Sequence, residues 1–386
     1  MDKIDRKRKV CIVVATEMTI KAFLLDQIEA LSKKYDITII ANTNNPSFIN
    51  MLKIKASIIC VAIERNISPW ADIKGLFRLI YLFRKHKFDI VHSVTPKAGL
   101  LSMISGFLVR IPIRIHTFTG QVWITQSGFK KRVLKLMDKL LALLATNVLI
   151  DSNSQRAFLV EQGVVSEKKS IVLAKGSVSG VDTKRFSSNH NARKEIRNDL
   201  NISEQDMVIL FLGRLNKDKG VLDLSKTFCK LCEIYNNMHL LLVGPDEEKL
   251  KSKITEILMQ HKNRIHFIDY TNEPEKYMAA ADIFCLPSYR EGFGTVIIEA
   301  ACSGIPAIGS RIYGITDAIE ENVTGLLFNV GDIDSLLEKM LVFINNPGMR
   351  KRMGENACKR AIRDFPKEMV TAALLKYYEM LLSKLS

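Results

Sequence analysis

The chain is 386 residues long, 47% hydrophobic and 25% charged, with 56 Lys and Arg against 41 Asp and Glu for a formal charge of +15. That length suits two or three domains, and the apolar content is enough to bury their cores. With 20 Gly and 10 Pro, collagen-like, low-complexity and wholly disordered chains are excluded.

The N-terminus, Met1 to Lys9, is basic. The apolar run behind it, Val10–Ala15, is too short and wrongly flanked for a signal peptide and reads as a buried first strand. Short apolar runs then alternate with helical periodicity. Ile37–Ala41, Ile58–Ile63, Ile90–Ser93, Ile113–Thr117 and Val148–Ser152 read as strands, and stretches such as Ala22–Lys34 and Ile73–His86 as helices between them. This is the rhythm of βαβ units building a parallel sheet. The longest apolar stretches, Ala98–Ile113 and Leu136–Ile150, are broken by Arg110 or by Asp138 and Lys139. Both fall short of the ~20 residues that span a bilayer.

Charge is concentrated in this first half. Residues 1–190 hold 30 Lys and Arg against 14 Asp and Glu, or +16, whereas residues 191–386 hold 26 against 27, or −1. Much of the excess lies beside leucines, as in the segment Phe129–Leu144 with Lys130, Lys131, Arg132, Lys135 and Lys139. Such a helix can lie on an anionic leaflet or be a core helix with a solvated basic face, and the sequence alone leaves the two readings level. Nucleic acid is disfavoured as a partner, because the basic segments carry leucine stripes rather than interleaved aromatics that stack on bases.

A polar stretch, Ser187–Lys194, reads as the linker region, after which the βα rhythm restarts with Val208–Gly213, Leu240–Gly244, Ile265–Ile268, Ile283–Pro287 and Pro306–Gly309. The expected fold is therefore α/β, with two Rossmann-like doubly wound lobes facing across a cleft: 1–188, 189–366, and a C-terminal helix over 367–386. Two-lobed proteins of this kind allow that helix to cross back to the first lobe. Seven scattered cysteines suggest a reducing cytoplasm, and Cys229 and Cys232 read as packed thiols rather than a metal or redox pair.

In open α/β sheets chemistry gathers beyond the carboxyl ends of strands. The first such turn, Thr16–Thr19, has no glycine and no GxGxxG, which removes the main support for a dinucleotide-dependent oxidoreductase. In the second half, Gly213–Gly220 places Arg214 and Lys219 between a strand and a helix, an arrangement that suits a diphosphate. Further on, Leu286–Gly304 puts Glu291 in a loop with Gly292 and Gly294, and Glu299 on a helix starting near Gly294 or Thr295. The two acids fit a clasp for hydroxyl groups, and equally fit surface acids or a cap.

These residues resemble a known family. Glu291 to Glu299 is similar to the E-x7-E signature of family 4 glycosyltransferases, retaining nucleotide-sugar enzymes of GT-B fold. Gly213-Arg214 with Lys219-Gly220 resembles their diphosphate-binding motif, and the likeness extends over nearly the whole chain. The resemblance implies that Glu299 binds ribose hydroxyls, that Glu291 with the backbone of Gly292, Phe293 and Gly294 binds the donor hexose, and that Arg214, Lys219 and N–H groups near Thr295 carry the diphosphate. His116 looks like the family's strand-end histidine facing the donor sugar, with Thr16, Thr119 and Gly120 toward the acceptor. Retention without an enzymic nucleophile, no metal and no cofactor are implied as well. The segments His116–Trp123 and Gly176–Asp182 resemble bacterial enzymes that extend undecaprenyl-diphosphate-linked glycans of O-antigens and capsules. That likeness implies a UDP-sugar donor, N-acetylgalactosamine ahead of N-acetylglucosamine, and a place at the inner face of the bacterial membrane; galactose, glucose or a GDP-sugar as donor and a soluble acceptor stay open. The glycine-poor Thr16–Thr19 turn departs from family members with a Gly-Gly there.

Overall fold

The computed structural model describes residues 7–43, 54–64 and 68–385. Met1–Arg6 of the basic N-terminal run lies outside them. The chain divides into two compact units, Met1–Ser179 with Lys367–Ser386, and Gly180–Pro366.

The first unit is built on seven parallel strands: β1 (Lys9–Thr16), β2 (Asp36–Asn42), β3 (Ala56–Cys60), β4 (Ile90–Val94), β5 (Ile113–Phe118), β6 (Asn147–Ile150) and β7 (Ser170–Val172). Their order is β3-β2-β1-β4-β5-β6-β7. Val10 pairs with Ile37 on one side and Ile90 on the other, so the chain walks outward from β1, then returns to β4 and walks the other way. β1 is buried on both faces because helices cover both, which is why it reads as an unbroken apolar run rather than an alternation. One face carries the helices Leu25–Lys34 and Lys367–Ser383, and the other carries Pro69–His86, Pro96–Leu108 and Gly128–Leu144.

The last helix, Lys367–Ser383, thus belongs to the first unit. Leu374, Tyr377, Tyr378, Leu381 and Leu382 share a buried cluster with Val10, Ile37 and Ile113. At its start Lys367 pairs with Asp26 at 3.0 Å.

The second unit has six parallel strands, β8 (Met207–Leu212), β9 (Met238–Val243), β10 (Ile265–Ile268), β11 (Ile283–Leu286), β12 (Ala307–Ser310) and β13 (Gly325–Phe328), ordered β10-β9-β8-β11-β12-β13. Here the strand order reverses between β8 and β11.

Three details differ from expectation. Strands β7 and β13 were not anticipated. The polar stretch 187–194 is not a linker: Asn189 accepts hydrogen bonds from the backbone N–H groups of Asn191 and Ala192 and caps a helix, His190–Asp199. That helix is held by the buried Arg197, which donates to Asp282 at 2.7 Å. The division between units falls earlier, at Ser179, because Val181 and Phe186 already pack into the second core. On the helix Val221–Ile234, Cys232 is buried and Cys229 partly so, both as free thiols raised by burial.

Candidate active site

The loops after β8 and β11 meet at the point where the second sheet reverses direction, the position at which open α/β sheets receive ligands. β8 leads into Gly213, where φ is +155°. A Cβ on Gly244 would lie 2.1 Å from the Gly213 carbonyl oxygen, so the loop after β9 can lie this close only as glycine. Arg214 follows and donates from one guanidinium nitrogen to both carboxylate oxygens of Glu247, at 2.8 and 3.1 Å. Asn216 stabilises the turn twice, accepting from the Lys219 backbone N–H at 3.1 Å and donating to Glu247 at 3.2 Å. A short 3-10 turn, Lys217–Lys219, then opens through Gly220 into Val221–Ile234.

Gly220 joins the two loops. It sits in the left-handed region at φ +67°, and a Cβ there would lie 2.0 Å from the Pro287 carbonyl oxygen. Around that contact Tyr289 N–H donates to the Asp218 carbonyl at 2.8 Å, Arg290 to the Asp218 carboxylate at 2.6 Å, and the Tyr289 hydroxyl to Asp223 at 2.7 Å. The result brings Lys219 onto Glu291. They form an ion pair whose side chains are 18% and 13% exposed, and Ser288 donates to the same Glu291 oxygen at 2.8 Å. Largely shielded from water, the pair attracts more strongly than a surface bridge, and each ion offsets the other's desolvation.

Beyond Glu291 the backbone is shaped by what lies under it. Phe293 is 1% exposed and packs edge-on against Phe365 with ring centroids 5.2 Å apart, so its side chain belongs to the core. Gly294, at φ +85°, starts the helix Thr295–Cys302, and Glu299 sits four residues after Thr295 on the same helical face. Glu299 is partly buried. Burial pushes its carboxyl up to about 7, Arg185 nearby opposes that shift and Glu275 adds to it. Arg185 is itself paired with Glu275 at 2.8 Å.

The structure therefore brings together Lys219, Glu291 and the start of the Thr295 helix, places Glu299 one turn along, and holds Arg214 on Glu247. Asn216, Asp218, Glu247 and Ser288 were not singled out from sequence. Their one signal was position, each lying within a few residues of a strand end, which with thirteen strands among the described residues marks too many positions.

In the first unit, Thr16 ends β1 with its hydroxyl 3.4 Å from that of Thr19, and helical structure begins at once over Glu17–Thr19 and continues as a π-helical turn, Ile20–Leu24. A chain that enters a helix directly needs no glycine there. Thr119, partly exposed, and Gly120, at φ +131°, follow β5.

His116 corrects an expectation. It is not at the strand's end but inside β5, 1% exposed, with Nδ1 2.9 Å from the Ser93 hydroxyl and its ring edge-on to Phe118. A Cβ on Gly99 would lie 2.4 Å from its Cε1, so the imidazole fills the space beneath the Pro96–Leu108 helix. Burial lowers its pKa to about 3, and it stands neutral. The residue that occupies the open strand end is Thr119. Among the described residues no three His, Cys, Asp or Glu gather as metal ligands, and no helix is long and apolar enough to cross a membrane.

Two doubly wound units with a cation–carboxylate pair at the second sheet's reversal place the chain in the class of open α/β proteins that receive ligands on post-strand loops. A Glycosyl transferase 4-like domain model matches residues 20–173, and the model Glycosyl transferases group 1 matches residues 192–360. The chain is 31% identical to the capsular polysaccharide biosynthesis glycosyltransferase CapM of Staphylococcus aureus over 84% of its own length and 85% of that protein's. It is 26% identical to an Escherichia coli UDP-Gal:alpha-D-GlcNAc-diphosphoundecaprenol alpha-1,3-galactosyltransferase over 88% of each chain. The fold is shared with Anabaena Alr3699/HepE, solved in complex with UDP and glucose, at a TM-score of 0.81 over 97% of this chain and 100% of that one, with 16% identity. The chain belongs to the family 4 glycosyltransferases and has the GT-B fold.

Proposed function

We propose that this enzyme is a retaining glycosyltransferase that moves an N-acetylhexosamine from a UDP-sugar to a sugar carried on undecaprenyl diphosphate, in the assembly of a bacterial capsule or O-antigen. The observation that carries the reading is the Lys219–Glu291 pair beside the helix start at the reversal of the second sheet.

An arriving diphosphate finds Lys219, the N–H groups at the head of Thr295–Cys302, and Arg214, which is exposed enough to exchange Glu247 for a phosphate oxygen. Charge grows on the diphosphate as the bond from the sugar's anomeric carbon to phosphate oxygen breaks, and these groups stabilise it where it grows. Glu291, already held by Lys219 and Ser288, accepts hydrogen bonds from sugar hydroxyls rather than attacking carbon. The acceptor hydroxyl bonds to the anomeric carbon on the face the phosphate leaves, and its proton passes to the departing phosphate oxygen, which gives retention with no residue as nucleophile. Glu299 accepts from the ribose hydroxyls. Thr16, Thr119 and Gly120, at strand ends of the first unit, are our assignment for the acceptor. No metal is required by this scheme, since Lys219 and Arg214 supply the positive charge.

N-acetylgalactosamine is the donor sugar favoured by the likeness of His116–Trp123 and Gly176–Asp182 to glycan-extending enzymes. Galactose is the second reading, favoured by the activity named for the Escherichia coli relative. A lipid-borne acceptor is met at a membrane, and the +16 of residues 1–190 supports a peripheral place on the anionic cytoplasmic leaflet. The deciding test is nucleotide release from a panel of UDP- and GDP-sugars, with and without a short polyprenyl-diphosphate N-acetylhexosamine acceptor, with product mass determined. Acceptor-dependent UDP release with one added N-acetylhexosamine is expected. An added hexose would move the reading to galactose, and release that ignores the lipid acceptor would overturn it.

A further inference from the structure

The three helices Pro69–His86, Pro96–Leu108 and Gly128–Leu144 form one layer over one core of the first unit. They lie side by side in that order: a Cβ on Gly75 would touch Leu101, and one on Gly99 would strike Leu141. The inner faces of such helices should be apolar and the outer faces polar. Here the outer faces are apolar too.

On Gly128–Leu144 the residues Phe129, Val133, Leu136, Leu140 and Leu143 recur every three or four positions, with Phe129 82%, Leu136 66% and Leu143 72% exposed. A second stripe on Pro69–His86 comprises Trp70, 79% exposed, with Ile73, Phe77 and Tyr81. At the end of the middle helix, Phe107 and Leu108 are both more than half exposed. Among the described residues 22 large apolar side chains are exposed and 11 of them lie on this layer, which marks a patch rather than scatter.

The charges flanking the stripes have one sign. Lys130, Lys131, Arg132 and Lys139 are exposed on one helix, and Lys74, Arg78, Arg84 and Lys85 on the other. The only acids on the three helices, Asp72 and Asp138, are engaged: Asp72 pairs with Lys97 at 2.6 Å, and Asp138 accepts from Trp123 Nε1 at 2.9 Å. A second copy of this face would set like charges together. An anionic lipid surface satisfies both features, since acyl chains cover the stripes and phosphates meet the lysines and arginines.

We propose that this three-helix layer docks in the plane of an anionic membrane, with the stripes of Pro69–His86 and Gly128–Leu144 inserted at the boundary between headgroups and acyl chains. This deepens the peripheral placement above, which rested on net charge, and depends on that reading only for which membrane is met. It requires insertion, and so differs from adsorption of a basic surface.

The chain carries its own reporter. Of its two tryptophans, Trp123 is buried and Trp70 stands in the proposed footprint. The full chain is mixed with phosphatidylglycerol–phosphatidylcholine vesicles and with phosphatidylcholine vesicles alone. Expected are co-sedimentation with the anionic vesicles, a blue shift of Trp emission, and quenching by lipids brominated near the headgroup end of the chain. Leu136→Glu with Leu140→Glu is expected to weaken partitioning by roughly tenfold or more, with unchanged circular dichroism and melting temperature. Trp70→Phe is expected to abolish the shift while sedimentation persists. Absent sedimentation, or sedimentation without a blue shift and indifferent to the double variant, would overturn insertion. A solution dimer that the double variant dissociates would assign the face to a second copy instead. Turnover of a short, soluble acceptor measures the enzymatic reading separately, so either can fail without the other.

Discussion

At the scale of single residues, the decisive contact is that of Lys219 with Glu291. Glu291→Gln keeps the shape and the Ser288 hydrogen bond but removes the charge that holds Lys219 and that we propose clasps the sugar. A fall in kcat of about a hundredfold or more is expected, with the circular dichroism spectrum unchanged. Near-normal kcat at saturating substrates would remove Glu291 from the site. Glu299 makes a different prediction, about pH. Its folded-state pKa, about 7, lies above the ordinary 4.5, so the folded protein binds that proton more tightly than the unfolded chain does. Its contribution to stability is therefore fully present below about 4.5, is lost as pH rises through about 7, and is absent above. Glu299→Gln should flatten that segment of the stability–pH curve and raise stability at pH 8 by roughly 1–2 kcal/mol, while weakening UDP binding. Melting curves of the two proteins that run parallel from pH 4.5 to 8 would show that Glu299 is not the titrating group. Both glutamates stood out in the sequence because their types, spacing and glycine neighbours form a pattern, and the structure puts Glu291 in the loop after β11 and Glu299 on the helix that follows. His116 was placed nearer the strand's end than it lies because a strand's last residues cannot be counted exactly from sequence. β5 runs to Phe118 rather than Thr117, and Thr119, three positions beyond the buried imidazole, is the residue that follows the strand.

At the scale of elements, the loops after β8, β11 and β12 are locked together at backbone level. Gly220 lies against Pro287, and a Cβ on Gly314 would lie 2.5 Å from the Gly292 carbonyl oxygen. Neither obstacle is a side chain that can swing away. Gly220→Ala is expected to cost about 2–4 kcal/mol, combining overpacking with a left-handed φ, and to depress activity beyond what lost stability explains, because it parts Lys219 from Glu291. A variant with unchanged melting temperature and unchanged KM for the UDP-sugar would show that the loops are not held this way. The fold's elements were legible where burial on both faces makes long runs, as in Met207–Leu212 and Met238–Val243. Short strands were read unevenly: Ile265–Ile268 and Ile283–Leu286 stood out as apolar runs, whereas Ser170–Val172 and Gly325–Phe328 did not. The 187–194 stretch misled because the polar residues that fill linkers are those that cap helices.

At the scale of the molecule, the two units divide the candidate site and the charge, with the loops around Lys219 and Glu291 in the near-neutral second unit and the positive excess in the first. The chain's end ties the first unit shut. Tyr378 reaches through that core to His92, its hydroxyl 2.7 Å from Nδ1, while His92 Nε2 stands 2.7 Å from the Thr117 hydroxyl. Burial lowers the pKa of His92 to about 3, so the ring is neutral and one nitrogen accepts while the other donates. Five apolar or aromatic side chains of Lys367–Ser383 join this buried cluster of the first unit. At about 2 kcal/mol each they supply about 10 kcal/mol, which is of the order of a whole domain's net stability, about 5–15 kcal/mol. Truncation after Pro366 should therefore unfold the first unit. The second unit's core includes no residue of that helix and should stay folded. Calorimetry of the truncated chain is expected to lose one transition and keep one, with proteolysis confined to residues before Ser179 and UDP binding retained. Two retained transitions would mean that the helix is an accessory to the first unit, and loss of both would mean that the units do not fold independently.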